Sequence, residues 1–274
     1  MGWTYSGSLD PSKRGEFYDH QVVSIRVELD AWCCVQPERA TAPVLPHAQL
    51  ARKLPVTALP KLNPVVIKPR LSDRAAAKFI RLPAVEQMRI LREQKFPKNA
   101  PQVFKTPYYQ HGRSAIRELI ERGEAGLANA RAIVQAIGNP SRRMHSMRVL
   151  EQFWASEHAS RGLKLVTWKR YLFELGDVEL RTSPDLLALQ GDDLRFIYFN
   201  LNAEEQDPEV ARMTLELAHW IMKENDVDVR PEQLEFIDLF TGTLYRGKKP
   251  RQRTIELMQE NAKLIESFWP SIDP

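Results

Sequence analysis

One aspartate and two asparagines in the C-terminal half of the chain are the candidates for site chemistry, by residue type and by spacing. Asp185 follows Ser183-Pro184 and directly precedes an apolar run, and Asn200 and Asn202 lie at the end of the next apolar run. Alternate residues of a strand share one face, so Asn200 and Asn202 are predicted to point the same way. Carboxylate and amide oxygens can both bind a hard cation, but one carboxylate with two neutral amides makes a poor Mg²⁺ site.

Three predicted strands and the helices around them would position these residues. Residues 164–175 are rich in β-branched and aromatic side chains and predict the first strand. Residues 176–202 supply two more, with Asp185 at the entrance to one and a tight turn at 190–193 between them. A helix from Ser141 precedes the strands, and a helix capped by Asp207 follows them. With a strand and turn at 234–245 and a last helix, the predicted order from Ser141 is α-β-β-β-α-β-α.

This order, with Pro-Asp entering the second strand, resembles the PD-(D/E)XK superfamily of restriction-endonuclease-like nucleases. The resemblance covers about residues 141–270. It implies that Asp185 is a metal ligand and that the strand 197–202 carries the second motif. It also implies that Glu151 or Glu157 supplies the helix-borne acid of some members. The implied cofactor is Mg²⁺, and the implied substrate is nucleic acid.

The second motif departs from the family pattern at both of its chemical positions. Asn200 stands where the family has an acid, and Asn202 stands where it has a lysine. An amide oxygen is a neutral and weaker ligand for a hard cation, and no ammonium remains to orient the attacking water. The resemblance therefore predicts a nuclease-like domain with a degenerate, inactive site. An active metal-dependent nuclease that uses Asp185 is the alternative.

Basic residues are concentrated where contact with a polyanion is expected. Residues 1–150 contain 24 Lys and Arg against 12 Asp and Glu, whereas residues 151–274 contain 15 against 23. The stretch 39–72 has six prolines and no acid, which favours an extended arm. A second basic segment, 246–253, precedes the last helix. Such segments neutralise phosphates without reading sequence. The residues predicted to bind nucleic acid are Arg52, Lys53, Lys61, Lys68, Arg70, Lys105, Arg246, Lys248, Lys249, Arg251 and Arg253.

Two other interpretations of these basic segments stay open. The basic and acidic halves can attract each other within the fold, and the arm can bind an acidic groove of a partner protein. The pair Tyr108-Tyr109, in a predicted loop at 95–112, can stack on bases or pack on its own core.

The sequence gives little support for other chemistry. The six histidines have no metal-ligand spacing, no glycine-rich phosphate loop is present, and the adjacent Cys33 and Cys34 are expected to be reduced thiols. No window approaches the apolar length of a membrane span, and the N-terminal residues lack the pattern of a secretory signal. We therefore expect a cytoplasmic protein that does not contact a membrane.

Together these patterns predict a mixed α/β fold in three regions. Residues 1–71 would form a strand (at 21–32) and the basic proline-rich arm, residues 72–140 a helical region, and residues 141–274 the PD-(D/E)XK-like domain. The predicted function is nucleic-acid binding, as a subunit of a DNA- or RNA-processing or defence assembly. A protein partner or a homo-oligomer fits the same pattern. A protein-interaction scaffold without nucleic-acid binding is the third hypothesis.

Overall fold

The computed structural model describes residues 65–97, 105–167 and 170–274, all of which belong to one compact unit spanning 58–274. The strand predicted at 21–32 and most of the predicted arm lie outside the described residues. The helices are α1 (Asp73–Arg81), α2 (Ala84–Lys95), α3 (Lys105–Arg122), α4 (Leu127–Gln135), α5 (Pro140–Ala155), α6 (Pro208–Lys223) and α7 (Gln252–Phe268). The strands are β1 (Arg70–Ser72), β2 (Leu163–Leu165), β3 (Leu172–Leu175), β4 (Val178–Arg181), β5 (Leu186–Gln190), β6 (Asp193–Asn200), β7 (Leu234–Asp238) and β8 (Leu244–Arg246).

A five-stranded mixed sheet in the order β2-β5-β6-β7-β8 forms the centre of the described unit. β5 and β6 form an antiparallel hairpin whose turn contains Gly191, while β6 and β7 run parallel and are connected through α6. A parallel pair requires such a crossover, and a helix usually provides it. The mixed α/β class predicted from the sequence is confirmed.

Helices cover both faces of this sheet, so β6 is buried on both sides. Ile197 and Phe199 pack towards α3, α4 and α5, whereas Tyr198 packs in the cluster under α6. α6 itself contacts the sheet on one side and α1 and α7 on the other, which explains why apolar residues surround it. The carboxyl end of β6 therefore emerges from the most buried part of the unit, at Asn200.

The strand predicted at 164–175 divides into two strands that belong to different sheets. β2 joins the edge of the large sheet, whereas β3 pairs with β4 and β1 in a separate three-stranded sheet. The β3–β4 turn contains Gly176 at φ +58°, where a Cβ atom would collide with the Glu266 carboxylate. Between α5 and α6 the three predicted strands are therefore five, β2 to β6, because a glycine turn joins β3 to β4 in a second sheet. β1 pairs in parallel with β4, so α1 begins beside the end of that strand.

The prediction of a loop at 95–112 is wrong for the last eight residues, which belong to α3, because this helix begins at Lys105. Pro107 lies in the first turn, where a proline is tolerated because those backbone N–H groups have no intrahelical partner. Gly112, inside the helix, faces α5, where a Cβ atom would lie in ordinary van der Waals contact, 3.6 Å from Val149 Cγ1. Tyr109 and Arg113 are consequently one helical turn apart on the same side of α3.

Within these three ranges, none of the helices is both long and apolar enough to cross a membrane.

Candidate anion-binding cleft

Asp185 is the buried centre of the site, at the entrance to β5, with only 5% of its surface exposed. Arg74 Nη2 donates to Asp185 Oδ2 over 2.7 Å, and the backbone N–H of Phe199 donates to the same oxygen over 2.8 Å. Arg113 Nε lies 2.7 Å from Oδ1, as an ion pair without hydrogen-bond geometry. Arg117 Nη2 donates to the backbone carbonyl of Asp185 over 2.9 Å. Both carboxylate oxygens are therefore neutralised by guanidinium groups.

The pKa of Asp185 reflects this surrounding charge. Burial alone would raise it, but the charges of Arg74 and Arg113 and the donated hydrogen bonds hold the pKa below its ordinary value. The carboxylate therefore stays ionised and serves as the counter-ion of two arginines.

The two asparagines are also occupied by partners within the protein. Asn200 Nδ2 donates to the Glu204 carbonyl over 2.8 Å and to Asp238 Oδ1 over 2.9 Å. Asn200 Oδ1 accepts from the Asn202 N–H over 3.1 Å, and Asn202 Oδ1 accepts from the Tyr109 hydroxyl over 2.8 Å. Each oxygen that would face a cation therefore faces a hydrogen-bond donor instead.

This donor set does not fit Mg²⁺. Mg²⁺ requires several free oxygens in near-octahedral geometry, whereas the oxygens of Asp185, Asn200 and Asn202 are directed at N–H and O–H groups. Among the described residues, no group of three or more His, Cys, Asp or Glu side chains is arranged to hold a metal ion.

The structure does not bring the helix-borne acids to Asp185. Glu151 lies on the surface of α5, where Arg131 of α4 pairs with its carboxylate at 3.0 Å. Glu157 is exposed on the short 3₁₀ helix that follows α5. The sequence placed Glu151 on the correct helix, but a helix has several faces, and this residue lies on an outer one.

A cleft of about 520 Å³ opens beside Asp185, between α1 and α3 and over the carboxyl end of β6. α1 contributes Arg74 and Lys78, and α3 contributes Tyr109 and Arg113. A second cleft of about 450 Å³ includes Asp185 itself and shares Arg113 with the first. Its other lining residues are Gln110, Ser114, Arg117, Arg170, Ser183 and Pro184. We call the two together the arginine cleft.

The arginine cleft carries a clear excess of positive charge. Its lining contains five cationic side chains, Arg74, Lys78, Arg113, Arg117 and Arg170, against two acids, Asp185 and Glu204. Arg74 also lies 5.5 Å from the ring centroids of both Tyr198 and Phe236, which holds its guanidinium in place. The cleft is consequently suited to an anion rather than to a cation.

A second buried aspartate fixes the loop that leads into Asp185. Asp73, the first residue of α1, accepts hydrogen bonds from the Tyr198 hydroxyl, from the Arg74 N–H over 2.7 Å and from the Ser183 N–H over 3.1 Å. Burial raises the pKa of Asp73 to about 6, although these donors and the Arg74 charge oppose the rise. Asp73 therefore ties the start of α1 to the loop before β5.

Most of the described residues of the predicted basic segments are paired with acids or are simply exposed. Arg251 pairs with Glu209 and Glu216, and Arg253 pairs with Glu256 and Glu260. In the same way Lys68 pairs with Glu174, and Arg70 pairs with Glu179. Arg246, Lys248 and Lys249 are exposed. Arg52, Lys53 and Lys61 lie outside the described residues, and Lys105 is described only as the first residue of α3.

The residues predicted from the sequence to bind nucleic acid do not include the cationic residues of the cleft. A local signal was present, since Arg74 and Lys78 have i,i+4 spacing after the Ser72 cap, as do Arg113 and Arg117 in α3. That spacing predicts one basic face on each helix, but it does not indicate that the two faces meet over Asp185.

Comparison of the chain with protein-family models, with curated proteins and with solved structures gave no match.

Proposed function

We propose that this chain binds nucleic acid through the arginine cleft and does not cleave it with a metal ion at Asp185. The observation that carries the proposal is the pairing of both Asp185 carboxylate oxygens with Arg74 and Arg113. In a metal nuclease this carboxylate would bind a cation. Here the guanidinium groups of Arg74 and Arg113 lie where that cation would bind. Both groups also line the basic cleft.

Guanidinium groups are well suited to this role. They are planar, permanently charged and able to donate several hydrogen bonds to phosphate oxygens. Asp185 orients Arg74 and Arg113 before any ligand arrives, so less side-chain entropy is lost on binding. The remaining cations of the cleft, Lys78, Arg117 and Arg170, add to the attraction.

The alternative of an active metal-dependent nuclease requires a rearrangement at the same place. To bind Mg²⁺, Asp185 would have to release Arg74 and Arg113, which would leave two largely buried positive charges without their counter-ion. Losing one partner of a buried ion pair costs about 3–5 kcal/mol. This cost favours binding without metal catalysis.

Fluorescence anisotropy with labelled single-stranded and duplex oligonucleotides tests the proposal. Between about 50 and 200 mM salt we expect affinity to fall steadily, with a log–log slope of about −2 to −4, because the cationic side chains neutralise about three to five phosphates and release their counterions. Absence of binding at low salt, or a flat salt response, would contradict the proposal and favour a protein-interaction scaffold.

A cleavage assay tests the second half of the proposal. Wild-type protein and Asp185→Asn are incubated with the same oligonucleotides and Mg²⁺ or Mn²⁺, and neither is expected to produce fragments. Metal-dependent cleavage by the wild type that disappears in Asp185→Asn would establish the nuclease alternative. The predicted membership of a DNA- or RNA-processing or defence assembly stays a prediction, which co-purification of partners would test.

A further inference from the structure

We infer that the arginine cleft takes a single-stranded segment of nucleic acid, with Arg113 placed between two successive phosphates. This inference rests on the proposed function and adds to it the class of nucleic acid that is bound.

The first step is the shape of the cleft. It has two compartments, of about 520 and 450 Å³, on either side of Arg113. Each has the volume of a small-molecule pocket rather than of a broad surface groove. The first lies between α1 and α3, and the second lies between α3 and the loop at Ser183. A strand that passes over Arg113 would place one nucleotide in each compartment.

The second step is the depth at which the charges lie. The side chains of Arg74 and Arg113 are only 24% and 35% exposed. A duplex carries its phosphates on the outside of a stiff rod, with the bases paired inside it. Such a rod meets exposed cations more readily than cations that are largely buried in a cleft. An unpaired strand is flexible enough to enter.

The third step is the chemistry of the two compartments. Tyr109, Asn202 and Gln206 line the first. Tyr109 supplies an aromatic ring that also packs on the core, and Asn202, whose Oδ1 already accepts from the Tyr109 hydroxyl, supplies amide donors. The second adds Gln110 and Ser114 beside Arg117 and Arg170. Proteins that bind single strands combine aromatic and polar side chains for the bases with a cationic path for the backbone.

The fourth step concerns Arg113 itself. Its Nε faces Asp185 Oδ1, and within the described ranges its two Nη groups form no hydrogen bond. Because Arg113 lines both compartments, these two groups can each meet a phosphate oxygen, one on either side.

The experiment compares a labelled twelve-nucleotide oligothymidylate with the matching duplex, using the full chain at one low salt concentration. We expect the single strand to bind at least about tenfold more tightly than the duplex. We also expect Lys78→Gln in the first compartment and Arg170→Gln in the second each to weaken single-strand binding by about three- to tenfold. Lys263→Gln, on the exposed side of α7, removes one charge outside the cleft and serves as the matched control.

The possible outcomes separate this inference from the proposed function. Duplex binding as tight as single-strand binding, or tighter, overturns the inference and leaves nucleic-acid binding intact. A single-strand preference that Lys78→Gln and Arg170→Gln leave unchanged also overturns it, because the strand then binds elsewhere. Failure of both oligonucleotides to bind overturns the proposed function itself. Thermal unfolding of each variant confirms that a loss of affinity is not a loss of folding.

Discussion

The arginine cleft and the segment 246–253 contain similar numbers of cations but use them in opposite ways. In the cleft, Arg74 and Arg113 converge from two helices on one buried aspartate, and the cleft lining keeps an excess of positive charge. In the segment, Arg251 and Arg253 are paired with carboxylates of α6 and α7. Arg246 ends β8, Lys248 and Lys249 lie in the irregular stretch after it, and all three are exposed.

The difference shows that the charge of a segment does not by itself identify a binding site. An exposed cation is solvated and mobile, and its ion pairs contribute little. Cations held in fixed positions in a partly buried cleft interact more strongly with an anion, because less water screens them and less ordering is needed. For this reason the proposed binding of nucleic acid is assigned to the cleft, with at most a supporting role for the segment.

The two regions should differ most in how much stability is lost when an acidic partner of their arginines is removed. Asp185→Ala leaves Arg74 and Arg113 without their buried counter-ion and is expected to lower the free energy of unfolding by about 3–5 kcal/mol. Glu256→Ala, which removes an exposed partner of Arg253, should change it by less than about 0.5 kcal/mol. Urea denaturation measures both, and equal effects would remove the distinction between the two regions.

The pH dependence of stability distinguishes Asp185 from its neighbour Asp73. Because the folded-state pKa of Asp73 is raised from 3.8 to about 6, its contribution to stability is fully present below about pH 4 and is lost as the pH rises to about 6. Asp185 has a lowered pKa, so its contribution is present above about pH 4 and is lost as the pH falls further.

The free energy of unfolding of Asp73→Asn, taken relative to that of the wild type, should therefore be about 2–3 kcal/mol higher at pH 7 than at pH 4. The variant also loses acceptor capacity for the Ser183 and Arg74 N–H groups, so it should be less stable than the wild type at pH 4. Urea denaturation at the two pH values gives the comparison. A constant difference between variant and wild type would show that Asp73 is ionised normally in the folded state.

A smaller loss of stability is expected from changes at Tyr109, which lines the cleft. Tyr109→Phe removes the hydroxyl that donates to Asn202 Oδ1 but keeps the ring beside His145. We expect a loss of about 0.5–1.5 kcal/mol of stability and little change in oligonucleotide affinity. Tyr109→Ala additionally removes the ring and should weaken single-strand binding, which anisotropy would detect. Equal affinities of the two variants would exclude the ring from binding.

The elements were predictable from the sequence where their signals are local. Asp207 caps α6, as predicted, and Ser72 caps α1 in the same way, because each cap needs only a backbone N–H two or three residues ahead. The β5–β6 hairpin follows from its glycine turn in the same way. The start of α3 was not predicted because Pro107 is usually a sign of a loop. The division of 164–175 into two strands depends on the pairing of β3 with β4, which the residues of β3 do not specify.

The chemistry of the site was not predictable, because it depends on residues that are distant in sequence. Arg74 is 111 positions from Asp185, and Arg113 reaches the same carboxylate from a different helix. The sequence drew attention to Asp185 and Asn200, and the structure shows that both side chains are buried and hydrogen-bonded within the protein. The sequence did not indicate that guanidinium groups lie on the side of Asp185 where a metal would be expected.

The most direct test of this account removes two charges from each region and compares the affinities. The double variant Lys78→Gln/Arg170→Gln alters the arginine cleft, and Lys248→Gln/Lys249→Gln alters the segment by the same net charge. Affinity for a twelve-nucleotide oligothymidylate should fall by about tenfold or more in the first and by less than about threefold in the second. An equal or larger loss in the second variant would contradict the account, because it would place binding on the exposed segment.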